Sequence, residues 1–165
     1  MKGGEVMSSE PVGNVRLVAV TTEGMKRVIP FVRAFYEHFN YPYDEQVKVA
    51  VLHKMLREKS LGGMWRIRHE GADVGYVLLA FLFSLEFNGR IAFLDELFIE
   101  PSCRRKGVGA AVLKTVEDIC LRLGINVLRV ESEAQNAMAR ELYARLGYVD
   151  HGRHLMSKQL KRNEG

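Results

Sequence analysis

Arg104-Arg105-Lys106-Gly107-Val108-Gly109-Ala110 is a basic run followed by glycines where a helical pattern begins. Glycine lets the backbone approach an anion closely, and a helix start presents unpaired N–H groups and a positive dipole end. Adjacent Arg and Lys add charge-assisted bonds, so the stretch suits a phosphorylated ligand. The bland alternative for the three cations is a solvated basic turn. Just upstream stand Asp95 and Glu96, carboxylates that could accept a proton or bind a cation, or simply form a strand-edge salt bridge. Neighbours on a strand face opposite sides unless a bulge intervenes, so the residue types do not choose between these two, and Glu86 is a third candidate. A third cluster runs from Phe35 to Asp44. There Tyr36, Tyr41 and Tyr43 could offer cation–π faces to an ammonium group, or could simply pack a loop.

The elements that must position these residues follow from hydrophobic periodicity. Val15 to Val20 reads as a first strand. Val28, Phe31, Val32, Phe35 and Phe39 recur at helical spacing, with Pro30 tolerable only near a helix start. Asp44 is a plausible N-cap for a second helix with an apolar stripe of Val47, Val51, Leu52, Met55 and Leu56. Strands are expected over Met64 to Arg68, Val74 to Leu85 and Arg90 to Glu100, with Asn88-Gly89 as a hairpin turn. A helix starts at Gly107 and ends at Gly124, Val127 to Glu131 forms another strand, and Asn136 caps a helix stopped by Gly147. Tyr148 to Leu160 supplies one or two final strands. The order is β-α-α-β-β-β-α-β-α-β, a mixed α/β sheet in which Arg90 to Glu100 and Val127 to Glu131 pair in parallel through a right-handed crossover.

Composition narrows the class. With 165 residues, the chain suits a single domain over 14–165 preceded by a flexible leader, 1–13, that lacks the apolar core of a signal peptide. Two cysteines are too few for a disulfide scaffold and fit a cytoplasmic protein. No apolar run approaches the roughly 20 residues that span a bilayer. A net charge of +4 suits an anionic cofactor, and no nucleic-acid-binding motif accompanies it. His38, His53, His69, His151 and His154 show no metal-ligand spacing, so no metal is expected. A dinucleotide-binding fingerprint fits poorly, because Val112 stands where its third glycine belongs.

Arg104-Arg105-Lys106-Gly107-Val108-Gly109 matches the Arg/Gln-x-x-Gly-x-Gly/Ala signature of the GNAT superfamily of acetyl-CoA-dependent N-acetyltransferases. Asn136-Ala137-Met138-Ala139-Arg140-Glu141-Leu142-Tyr143-Ala144-Arg145-Leu146-Gly147-Tyr148 resembles a second block of that family, in the right order. The resemblance implies acetyl-CoA as co-substrate, its pyrophosphate on Arg104 to Ala110. It also implies that the parallel strands splay, freeing backbone groups of Leu97, Phe98 and Ile99 for the pantetheine arm. A thioester-oxygen donor would then sit at Phe98 or Ile99. Asn136 would contact the cofactor arm or cap its helix, and Tyr143 would protonate the leaving thiolate or serve as a core aromatic. The expected reaction is direct acetyl transfer to a primary amine of a small molecule or peptide in a ternary complex, by a homodimer. The competing reading is a non-catalytic acetyl-CoA-binding regulatory module of the same fold.

Overall fold

Alternation of apolar and polar residues, broken by turns at glycine and asparagine, dictates a meander. The computed structural model describes residues 14–160, and the leader expected over 1–13 lies outside the described residues. They divide into two compact units, one running to Glu131 and one beginning at Ser132. In the first, β1 (Val15–Ala19), β2 (Gly62–His69), β3 (Ala72–Ser84) and β4 (Gly89–Ile99) pair antiparallel in succession. The strand β5 (Leu128–Val130) then adds parallel to β4, so the sheet order is β1-β2-β3-β4-β5. Asn88, at φ 56, makes the expected turn between β3 and β4.

Two helices follow β1. In α1 (Ile29–His38), Pro30 occupies the first turn, where its missing N–H costs no helical hydrogen bond. Asp44 caps α2 (Glu45–Arg57), accepting from the amides of Gln46 at 2.9 Å and Val47 at 3.2 Å. Val32, Phe35, Leu52, Met55 and Leu56 of these helices form one core with Met64, Tyr76, Leu78 and Phe98 of the sheet. The expected stripe on α2 is corrected at its edge: Val47 and Val51 are 53% and 59% exposed. At 100° per residue they lie well off the centre of the Leu52, Met55 and Leu56 face.

The crossover helix α3 (Val108–Arg122) packs on β1 and β4 and buries Val112, Leu113, Val116 and Ile119. Alternation sends Val77 and Leu79 away from the α1–α2 layer, so β3 is buried on both faces, as its nearly unbroken apolar run requires. In the second unit, Asn136 caps α4 (Ala137–Arg145), accepting from the Ala139 amide at 3.1 Å. Beyond α4 the expected order is corrected: residues 149–160 form no strand. A strand exists only through paired backbone, and these residues enter no ladder; Val149, Leu155, Met156 and Leu160 are exposed.

At Gly75 the backbone of β3 lies close against β4, and an added Cβ would lie 2.0 Å from the Phe98 carbonyl oxygen. Gly75→Ala is expected to cost about 2–3 kcal/mol through displacement of β4. Urea unfolding measures this, and an unchanged midpoint with an unchanged slope would show that the approach is not a constraint.

Candidate active site

The pairing of β3 with β4 slips by one residue in the middle of the strand. Leu79 opposes Leu94, but Leu78 opposes Glu96, leaving Asp95 as an extra residue in β4. Such a bulge puts two successive side chains on one side of the sheet and bends the bulged strand. Asp95 and Glu96 accordingly line the same cavity, of about 350 Å³, together with Leu78 across the ladder. The remaining walls come from α1, α2 and the approach to β2: Val32, Tyr36, Lys48, Val51, Leu52, Lys54, Met55 and Leu61, with Ala80 of β3.

Glu96 is held by two phenols. Tyr76 donates to its Oε2 at 2.6 Å and Tyr36 to its Oε1 at 2.8 Å, while Lys48 Nζ donates to the Tyr36 oxygen at 2.8 Å. Burial raises the Glu96 carboxyl above its ordinary range, as does the Asp95 charge, while the two phenolic hydrogen bonds and Lys48 act the other way. Burial likewise raises Asp95, with Lys48 opposing it. By surface area Asp95 is exposed, so water offsets part of that effect although neighbouring groups crowd its carboxylate, and it makes no hydrogen bond or ion pair with a described residue. Both tyrosines are pushed upward, by burial first and then by the Glu96 charge, so they remain donors.

The aromatic cluster is partly redirected. Tyr36 lines the cavity, but Tyr41 and Tyr43 do not. They pack around Tyr36, with ring centroids 6.1 and 5.8 Å from it, and Tyr41 stacks on Phe39. The Tyr43 hydroxyl turns instead to Glu45 at 3.3 Å. Glu86 sits exposed in the β3–β4 turn and is no part of the cavity. Lys48 and Tyr76 were missed in the sequence. Lys48 stands four residues before Leu52, on the buried side of α2, which is a legible signal. Tyr76 reads as another core aromatic of β3, and only the ladder places it beside Glu96.

The same bulge governs the other side of β4. Pairing with β5 runs from Ala92–Leu128 to Leu94–Val130 and ends there, while β4 continues to Ile99. Ala92 donates to Val127 on the β5 side before the bulge, whereas Glu100 donates to Val74 on the β3 side after it. With alternating backbone direction, Leu97 and Ile99 therefore face the open side, and Phe98 faces β3. This corrects the expectation for Phe98: its amide and carbonyl belong to the ladder, and its side chain is core, 5% exposed. Arg104 Nε donates to the Ile99 carbonyl at 2.7 Å.

Beyond β4, a 3₁₀ turn at Pro101–Cys103 leads to Arg105 at φ 61 and Gly107 at φ 79, both left-handed. The first helical bond of α3 joins the Ala111 amide to the Gly107 carbonyl at 3.1 Å. The amides of Val108, Gly109 and Ala110 thus precede the ladder and point out of the helix end, beside exposed Arg105 and Lys106. In the second unit, Asn136 Oδ1 is occupied by its cap. Tyr143 on α4 is half-buried, its hydroxyl raised by that burial, and its ring lies 5.4 Å from Tyr148.

The description "Acetyltransferase (GNAT) family" matches residues 29–148. The uncharacterized N-acetyltransferase YhfO of Bacillus subtilis is 28% identical over 129 residues, which is 78% of this chain and 86% of that protein. Similarity to the thialysine N-epsilon-acetyltransferase of Bos taurus, 34% identical, covers only 45% of that enzyme. Among solved structures, an integron cassette protein from the mobile metagenome of Cole Harbour Salt Marsh superposes with a TM-score of 0.78. It is 29% identical, with 90% of this chain and 91% of that chain covered. A predicted acetyltransferase from Clostridium acetobutylicum, solved with acetyl-CoA, has a TM-score of 0.73 over 87% of this chain and 96% of that chain; at 12% identity it speaks for the fold.

The raised carboxyl of Asp95 makes stability depend on pH. Between its unfolded and folded pKa values the folded state binds more protons, so stability falls as pH rises through that interval. Asp95→Asn removes this loss. The variant is expected to be more stable than wild type near pH ~7 and indistinguishable from it near pH ~3.5, below both values. Urea titrations at the two pH values check it.

Proposed function

Because the chain belongs to the acetyltransferase (GNAT) family, whose co-substrate is acetyl-CoA, we propose that it transfers the acetyl group to a primary amine of a small molecule or peptide by direct attack in a ternary complex. The observation that carries the reading is the β4 bulge. One added residue brings two carboxylates into one cavity and turns the backbone of Leu97 and Ile99 to the side of the strand that β5 no longer covers.

The residues fit acetyl-CoA by their donor chemistry. The amides of Val108, Gly109 and Ala110 would hold the pyrophosphate, with Arg105 and Lys106 adding charge. Arg104 braces the end of β4 through the Ile99 carbonyl. The Leu97 carbonyl and the Ile99 amide, both on the open side, would pair with the amide-bearing arm. When bound, the thioester supplies an acyl group already activated toward nucleophiles.

An alkyl ammonium, with a pKa of about 10.4, must lose a proton before it can attack. Asp95 is the proposed base: its oxygens have no protein partner, its burial makes it more basic than an ordinary aspartate, and its open side lets the proton leave to water. Glu96, with an oxygen given to each tyrosine, is the fixed charge that orients the ammonium. The Leu97 amide, first past the bulge to face the open side, is the proposed donor to the developing oxyanion. Tyr143 retains the role of acid to the departing thiolate that its family motif implies. The family match runs from residue 29 to residue 148 and so includes residues of both units.

Incubation with acetyl-CoA and a panel of amines, read by product mass, tests the reading. An amine gaining one acetyl group is expected; calorimetric binding of acetyl-CoA without transfer would favour a regulatory module instead. Asp95→Asn should lower kcat by about 10²–10³ while acetyl-CoA affinity is retained. Tyr143→Phe should also lower kcat more than affinity, and unchanged turnover removes its acid role. At Gly107 a Cβ meets no protein atom within 4 Å, so Gly107→Val acts through its left-handed φ. The helix entry would rearrange and acetyl-CoA affinity fall by about tenfold or more, read by calorimetry.

A further inference from the structure

The cavity beside the bulge carries charges of both signs on otherwise aliphatic walls. Asp95 and Glu96 stand at one end, with Lys48 next to them through Tyr36. Lys54 lies at the rim, six residues further along α2, a rise of about 9 Å. Leu61 and Ala80 lie together on the cavity wall: the Leu61 carbonyl accepts from Phe81, and Gly62 opposes Ala80 in the ladder. Val32, Val51, Leu52, Met55 and Leu78 complete the lining, with Leu78 directly opposite Glu96. None of the four charged groups forms a salt bridge with a described residue; Lys48 bonds only the neutral phenol of Tyr36.

From this arrangement we infer that the acceptor is a zwitterion: a primary amine joined by an aliphatic spacer to an anionic group. The amine lies at Asp95 and Glu96, and the anion at Lys54. This names the acceptor class for the transfer proposed above and rests on that reading. With two cations and two carboxylates, the walls are already balanced. A ligand of zero net charge preserves the balance while satisfying both ends, whereas a diamine places its second ammonium in an apolar space facing a lysine. A simple alkylamine satisfies the carboxylate end and leaves Lys54 without its partner. Lys48 adds to the discrimination, since it forbids a second cation near the reacting amine.

Acceptors matched in spacer length separate these cases: ω-aminohexanoate, hexylamine and hexamethylenediamine, each assayed with acetyl-CoA by steady-state kinetics on the full chain. The expected kcat/KM for aminohexanoate exceeds that for either other amine by about tenfold or more. In Lys54→Ala the ratio of aminohexanoate to hexylamine falls by about that factor, and Lys54→Arg restores it. In Lys54→Glu the order inverts in favour of the diamine. Transfer with the diamine preferred by wild type, or a ratio unmoved in Lys54→Ala, overturns the inference and leaves amine acetylation standing. Acetyl-CoA binding with no transfer to any of the three also overturns the inference, and the wider amine panel then decides whether amine acetylation stands.

Discussion

A strand can place a charge on each of its faces without strain, but it cannot place adjacent side chains on the same face unless its ladder breaks. The single unpaired residue at Asp95 is that break, and the rest of the site follows from it. On the α1–α2 side it gathers Asp95 and Glu96 around one cavity. Along the backbone it exchanges the hydrogen-bonding direction of odd and even residues. The run of amides that served β5 up to Leu94 gives way to Leu97 and Ile99, which face an opening. The bend that accompanies a bulge is also the reason β5 can stop at Val130 while β4 goes on. In a regular β4, alternation would send one of the two carboxylates to the opposite face of the sheet.

Holding a carboxylate as deep as Glu96 requires donors, and the fold supplies them from two directions: Tyr76 from the adjacent strand and Tyr36 from α1. Because phenols are neutral, they satisfy the oxygens without cancelling the charge. Glu96 remains a source of field in the cavity, and its upward shift records the burial that the hydrogen bonds only partly offset. Lys48 completes the chain from α2. The arrangement ties α1, α2 and β4 to the same point, so acceptor binding and packing of the helical layer depend on the same few side chains.

The anion-binding end is built by simpler means. Left-handed backbone at Arg105 and Gly107 turns the chain into α3 so that its first amides point outward, and Arg104 is withdrawn from the solvated basic run to brace Ile99. Three successive cations thus have different surroundings, which composition alone would not distinguish.

Much of this was legible without coordinates. Local rules placed β1 to β5, the Asp44 and Asn136 caps, Pro30 in a first turn, the helix start at Gly107 and the helix ends at Gly124 and Gly147, because each depends on a few neighbouring residues. Motif resemblance named the family and its co-substrate. Tertiary structure alone decided which face Asp95 takes, since a bulge is a mismatch between two strands and neither strand declares it. It also separated Tyr36, which reaches Glu96, from Tyr41 and Tyr43, which do not. Tyr76 likewise became a ligand of Glu96 through ladder register rather than spacing. Secondary structure follows from short-range sterics and periodicity, whereas the chemistry of this cavity comes from residues up to 60 positions apart, such as Tyr36 and Glu96, whose meeting is a property of the folded sheet and its helical layer.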